Sequence, residues 1–209
     1  MNPLAAPQQT IVTLDLEGVL IPEIWIAFAE ATGIPELRRT TREEPDYDVL
    51  MRGRLKILDE HGLKLPDIAD VIAGLTPLDG AREFLDELRS RTQVMILSDT
   101  FEQFAQPLMR QLGWPTLLCH RLVIDNDQRV VDYRLRMPDQ KRHAVEALRG
   151  LNYRIVAAGD SYNDTAMLGE AHGGILFHPP ENVIAEFPQF AAYDTYDDLS
   201  AAITAALRD

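Results

Sequence analysis

A single cysteine, Cys119, stands among the 209 residues, which excludes an internal disulfide and leaves the fold to packing alone. No apolar run approaches the roughly 20 residues that a membrane-spanning helix needs. The first ten residues lack the basic and apolar regions of a signal peptide, so a cytoplasmic location is expected. Positive charge is also scarce. Twenty Lys and Arg face 33 Asp and Glu, and the net charge of −13 argues against nucleic acid or an anionic membrane surface as partner. An anionic substrate would need local compensation. Internal repeats, low-complexity tracts and flexible linkers are absent too. What is present is a hydrophobic fraction of 46%, enough for a full core in one domain or in a domain carrying a smaller insertion.

The apolar pattern alternates between two periods. Strand-like runs fall at Ile11–Leu14, Val94–Leu97, Thr116–Cys119, Arg154–Ala158 and Gly174–Phe177. Helix-like stretches at Asp79–Arg89, Phe101–Leu112, Asp139–Leu148 and Asp197–Leu207 lie between or after them. This predicts an α/β fold with a doubly wound parallel sheet, right-handed crossovers and a ligand crevice at the carboxyl ends of the strands. Two segments break the rhythm. Residues 22–76 are helical without a clear strand and are expected to be a helical cap inserted into a core made of 1–21 and 77–209. LVIDNDQRVVDYRL, Leu122–Leu135, predicts a β-hairpin turning at Asp125–Gln128.

Acids gather at the predicted strand ends. TIVTLDLEGVL delivers Asp15 and Glu17, RIVAAGDSYNDTAML delivers Asp160 and Asp164 with Asn163, and VMILSDTF ends at Ser98, Asp99 and Thr100. A doubly wound sheet brings such ends to one edge. Carboxylates so close repel one another or raise one another's pKa unless a cation is present. Oxygen ligands beside a phosphate suit Mg2+. Taken singly the signals are weaker: Ser98 would serve as a helix N-cap, and Lys141 as a surface charge near a helix start. His61, His120, His143, His172 and His178 show no zinc-ligand spacing and read as structural or exposed, while Cys119 reads as a core residue at a strand end.

DLEGV at Asp15–Val19, Ser98 after an apolar strand, Lys141, and GDSYND at Gly159–Asp164 resemble, in this order, the four motifs of the haloacid dehalogenase superfamily of phosphotransferases. The resemblance implies that Asp15 is a nucleophile forming an aspartyl phosphate. Glu17 would be the general acid and base, with its backbone carbonyl on the metal. Ser98 and Lys141 would hold the phosphoryl oxygens, Asp160 would ligate Mg2+, and Asn163 and Asp164 would support the loop. Two departures stand out. Glu17 replaces the usual second aspartate of DxDx(T/V), lengthening the acid by one methylene, and Asp99 follows Ser98 where glycine is common.

Substrate choice depends on the predicted cap. Tyr47, Leu50, Met51, Leu55 and Leu58 form an apolar helical face with Arg54 on or beside it. Arg54 has three readings: a salt bridge to Glu23, a side chain snorkelling to solvent, or a bidentate ligand for a substrate carboxylate with Glu23 on a substrate ammonium. The small cap, Glu23 and YDVLMRGR at Tyr47–Arg54 resemble the phosphoserine phosphatases of the superfamily, and DLEGV resembles the branch that also transfers the phosphoryl group to homoserine. Phosphoserine, with homoserine as a second acceptor, is the substrate the resemblance implies. Oligomeric state stays open between monomer and homodimer. Other expectations are a phosphatase of another small metabolite, or a receiver-like phosphoacceptor domain, which GDSYND and the insertion disfavour.

Overall fold

The protein's structure, a computed structural model, describes residues 9–41, 43, 44 and 46–207. Of the first ten residues, on which the leader expectation rests, 1–8 lie outside the described residues. In chain order the elements are β1 (Thr10–Leu14), α1 (Ile24–Thr32), α2 (Tyr47–Glu60), α3 (Leu65–Ala73), α4 (Ala81–Arg89), β2 (Gln93–Phe101), α5 (Glu102–Gln111), β3 (Thr116–Ile124), β4 (Val130–Arg134), α6 (Gln140–Gly150), β5 (Arg154–Gly159), α7 (Thr165–Glu170), β6 (Gly173–Phe177), α8 (Glu181–Glu186), β7 (Ala191–Tyr193) and α9 (Tyr196–Ala206). The fold is α/β with seven mostly parallel strands. No helix among the described residues is long and apolar enough to cross a membrane.

The chain divides into two compact units. The first holds residues 9–15, Glu83–Leu97 and 139–207. Here β1 lies between β2 and β5, parallel to both, with Val12 opposite Val94 on one side and Val156 on the other. A strand flanked on both edges and covered on both faces needs a continuous apolar run, which TIVTL and RIVAAG supply. Parallel pairing continues through β6, Ala158 beside Ile175, and on to β7, Phe177 beside Tyr193. Val145 of α6, Met167 of α7 and Leu199 and Ile203 of α9 are fully buried, and the ring of Tyr196 packs 4.9 Å from those of both Phe84 and Phe177.

The second unit holds Leu16–Arg82 and Ser98–Pro138. Its aromatic core joins Trp25 to Phe104 with ring centroids 5.5 Å apart, and Phe104 to Phe101 at 5.6 Å. The N-terminus of α2 is capped by Asp46, whose carboxylate accepts from the Asp48 and Val49 amides and satisfies two orphan donors. β3 and β4 form the expected antiparallel hairpin, with Leu122 opposite Tyr133. Its turn is closed by the Asp125 carboxylate accepting from the Asp127 and Arg129 amides.

Some boundaries differ from the sequence expectation. Thr116–Cys119 and the first arm of the hairpin are one continuous strand, so Cys119 lies inside β3, half-buried, rather than in the core at a strand end. β2 runs three residues beyond Ser98 because Phe101 still carries a buried strand position.

Candidate active site

In the first unit, β1 leads directly into Asp15, whose amide donates to the Ala158 carbonyl at 2.9 Å and extends the ladder by one residue. Asp15 is therefore held by backbone as well as by packing. Lys141 lies in the first turn of α6, and its Nζ is 2.9 Å from Asp15 Oδ1 and 2.8 Å from Asp164 Oδ1. The other oxygen of Asp164 accepts from the amides of Asp160, at 2.9 Å, and Ser161, at 3.1 Å. All four charged groups are buried: Asp164 is fully enclosed, Lys141 is 3% exposed and Asp160 5%. GDSYND is a built loop, in which Asp164 ties the strand end to the lysine. Gly159 is required by that arrangement, since a Cβ there would sit 2.3 Å from the Asp164 carboxyl carbon. Asn163 is exposed, and its Oδ1 accepts from the Ser161 hydroxyl.

The electrostatics of this centre are one-sided. Carboxylate oxygens of Asp15, Asp160 and Asp164 come within 4.8 Å of one another, and Lys141 is a single positive charge among them. Burial, then the neighbouring Asp164, and further Asp160 push the Asp15 carboxyl well above the usual carboxylate range, against the pull of Lys141. Hard oxygen donors with surplus negative charge fit a divalent cation, which would restore the ionised form of Asp15.

The second unit begins one residue after Asp15. Leu16–Ile21 folds into a tight loop in which the Leu20 and Ile21 amides both donate to the Leu16 carbonyl and Gly18 takes a φ of 78° that a side chain would disfavour. This loop presents Glu17, whose Oε2 accepts from the Ile24 amide at 3.0 Å, at the start of α1. Burial and the nearby charge of Glu23 raise the Glu17 carboxyl to about 7, while the Ile24 amide and Arg54 oppose the rise.

Arg54, on α2, is buried to 7% exposure. Its guanidinium donates to the Arg39 carbonyl at 2.8 Å and to the Met51 sulfur, and lies 4.5 Å over the Trp25 ring. Among the described residues its Nε has no hydrogen-bond partner. Burial lowers its pKa to about 10, with Tyr47, Glu17 and Glu23 pulling it back up, so it remains a cation at neutral pH. Neither of the two bland readings of Arg54 holds. The side chain does not reach solvent, and no carboxylate of the described residues, Glu23 included, forms an ion pair with it.

At the end of β2, Ser98 and Thr100 are buried and the Ser98 Oγ accepts from the Thr100 amide at 3.2 Å. Between them, the Asp99 carbonyl accepts from the Tyr47 hydroxyl at 3.1 Å. The structure thus brings Asp15, Lys141, Asp160 and Asp164 together in one unit. In the other it gathers Glu17, Glu23 and Arg54 around α1 and α2, and holds Ser98, Asp99 and Thr100 at the end of β2. Tyr47 was read only as part of an apolar face. Its hydroxyl, the one polar group on that stripe besides Arg54, was the available signal.

A haloacid dehalogenase-like hydrolase family model matches residues 10–172. The chain is 70% identical over 189 residues to the phosphoserine phosphatase ThrH of Pseudomonas aeruginosa, covering 90% of this chain and 92% of that protein. It is 69% identical, over 90% of its length and 80% of the relative, to a phosphoserine phosphatase of Pseudomonas syringae pv. tomato. Among solved structures, a phospho-aspartyl intermediate analogue of phosphoserine phosphatase superposes with a TM-score of 0.74 at 19% identity, covering 89% of this chain and 93% of the other. That last likeness is one of fold.

Proposed function

The chain belongs to the haloacid dehalogenase-like hydrolases, and we propose that it is a cytoplasmic, Mg2+-dependent phosphoserine phosphatase that also passes its phosphoryl group to homoserine. The observation that carries the substrate is Arg54. A buried guanidinium whose Nε has no partner among the described residues is costly unless an anion completes it, and the planar fork suits a carboxylate. Glu23, immediately before α1, would take the ammonium of the same amino acid. The two curated relatives at about 70% identity are named as phosphoserine phosphatases, which supports the same reading.

Asp15 attacks phosphorus through a carboxylate oxygen, the P–O bond to the serine oxygen breaks, and Glu17 in its acid form supplies the proton that oxygen needs. Only Leu16 separates the two residues, so their Cα atoms lie within about 7 Å of each other. The raised pKa of Glu17 suits an acid that later becomes a base. In the second step its carboxylate takes a proton from water or from the homoserine hydroxyl as that oxygen attacks phosphorus, and the Asp15 carboxylate leaves. Ser98 and Lys141 hold the phosphoryl oxygens, with Thr100 and Asn163 beside the substrate. Asp15 and Asp160, with the Glu17 carbonyl, would hold Mg2+, while Asp164 and Asn163 support the loop. Held by these residues, such a cation would supply positive charge against the transferred phosphoryl group. Residues 22–76 are proposed as the cap that carries Glu23 and Arg54.

A screen of phosphorylated metabolites with Mg2+, measuring released phosphate with and without homoserine, tests the proposal. Phosphoserine should be hydrolysed in preference to other monoesters, and homoserine should divert phosphate into phosphohomoserine. Preference for a substrate lacking an amino-acid end would contradict the assignment of Arg54.

A further inference from the structure

His120 stands outside the four motifs, yet it is buried in β3 with 4% of its surface exposed. Its Nδ1 accepts from the Arg136 amide at 3.1 Å. A backbone amide can only donate, so the proton of the ring sits on Nε2. That nitrogen faces Asp99 Oδ1 at 3.3 Å. The Tyr47 hydroxyl donates to the carbonyl of the same aspartate, and the Tyr47 and His120 rings pack edge to face, 6.3 Å apart. Asp99 is therefore held at its carboxylate by β3 and at its peptide by the first residue of α2.

Asp99 is the middle of the β2 end in which Ser98 Oγ accepts from the Thr100 amide. Rotation of the 99 peptide would move both neighbours, because they are bonded to it directly and each residue has only two soft backbone torsions. We propose that His120 is a positioning residue for phosphoryl binding: acting through Asp99, and seconded by Tyr47, it fixes the end of β2 that presents Ser98 to the phosphate. The inference rests on the reading of Ser98 as a phosphoryl ligand. It explains how an aspartate is tolerated beside that serine, since the carboxylate is held by a donor on β3.

The two ring nitrogens have different duties, and this separates the proposal from a merely structural role. His120→Gln retains a donor where Nε2 lies, whereas His120→Asn retains the acceptor for Arg136 and loses the donor to Asp99. The readouts, on the Mg2+-loaded full chain, are KM for phosphoserine, KM for phosphoethanolamine, the inhibition constant of inorganic phosphate and the thermal midpoint. His120→Asn should weaken phosphate inhibition and raise both KM values by about tenfold, as loss of a hydrogen bond to a charged group implies, with His120→Gln within about threefold of the wild type. Tyr47→Phe, which removes one hydroxyl and keeps the ring, should move the same constants in the same direction by a smaller factor. A loss in His120→Gln but not in His120→Asn would overturn the proposal, because it would place the function in the Arg136 contact. So would a fall in thermal midpoint with phosphate inhibition unchanged in both His120→Asn and Tyr47→Phe. Ser98→Ala serves as the reference. If it weakens phosphate inhibition while His120→Asn does not, the inference about His120 fails alone; if it does not, the reading of Ser98 falls with it.

Discussion

In the proposed function, two residues set this enzyme apart from a generic phosphatase. Arg54 places a buried cation that no carboxylate of the described residues pairs with, so Arg54→Ala should damage turnover of phosphoserine far more than of phosphoethanolamine, which lacks the carboxylate. A lost buried charged contact costs on the order of 2–5 kcal/mol, and kcat/KM for the two substrates measures it. With its pKa at about 10, Arg54 keeps its charge through the neutral range, so this selectivity should not change between mildly acidic and mildly alkaline pH. Equal losses for the two substrates would return Arg54 to a structural role. Glu17 reaches one methylene further than the aspartate usual in the family. Water is always present, so a transferring enzyme must hold its alcohol well, and well-oriented bound reactants reach effective molarities of about 10⁵ M or more. Glu17→Asp should raise the ratio of phosphate released to phosphohomoserine formed when phosphoserine and homoserine are supplied together. An unchanged ratio would move acceptor choice to residues 22–76.

At the scale of elements, GDSYND turns a strand end into a loop that Asp164 ties to Lys141 and to the Asp160 and Ser161 amides. Gly159 exists because Asp164 occupies the space of its side chain. Gly159→Ala should force the carboxylate off Lys141, destabilise the fold by about 1–3 kcal/mol as overpacking does, and abolish turnover, read by thermal melting and phosphate release. A wild-type melting point with full activity would show that the loop has slack. Asp46→Ala should cost about 1 kcal/mol by uncapping α2, with little effect on β5 and its loop. Strands β1, β5 and β6 were legible in the sequence because parallel pairing on both edges demands unbroken apolar runs, β2 because Val94–Leu97 is apolar throughout, and the hairpin because Asp125 sits where a turn needs an acceptor. β7, at three residues, and α7 and α8, at six each, are too short to establish a period. The carboxylates and Lys141 were legible because their spacing is chemical. Tyr47 and His120 were not, since their roles depend on a tertiary meeting of α2, β2 and β3 that no local pattern encodes.

For the molecule as a whole, charge sets the terms. A chain at −13 that buries Asp15, Asp160 and Asp164 around one lysine repels a phosphate dianion. Chelation should therefore abolish both hydrolysis and transfer, and Mg2+ should restore them; full activity in excess chelator would eliminate the metal-assisted mechanism. The central claim is narrower: both reactions pass through a phosphoryl group carried by Asp15. It is tested most directly by acid-quenching the enzyme during turnover of phosphoserine and mapping the modified peptide by mass spectrometry, with Asp15→Asn alongside. The account predicts one phosphoryl group on the peptide containing Asp15, labile to hydroxylamine and depleted faster when homoserine is added, with neither label nor turnover in Asp15→Asn. Turnover persisting in Asp15→Asn, or a phosphoryl group on another residue, would contradict it.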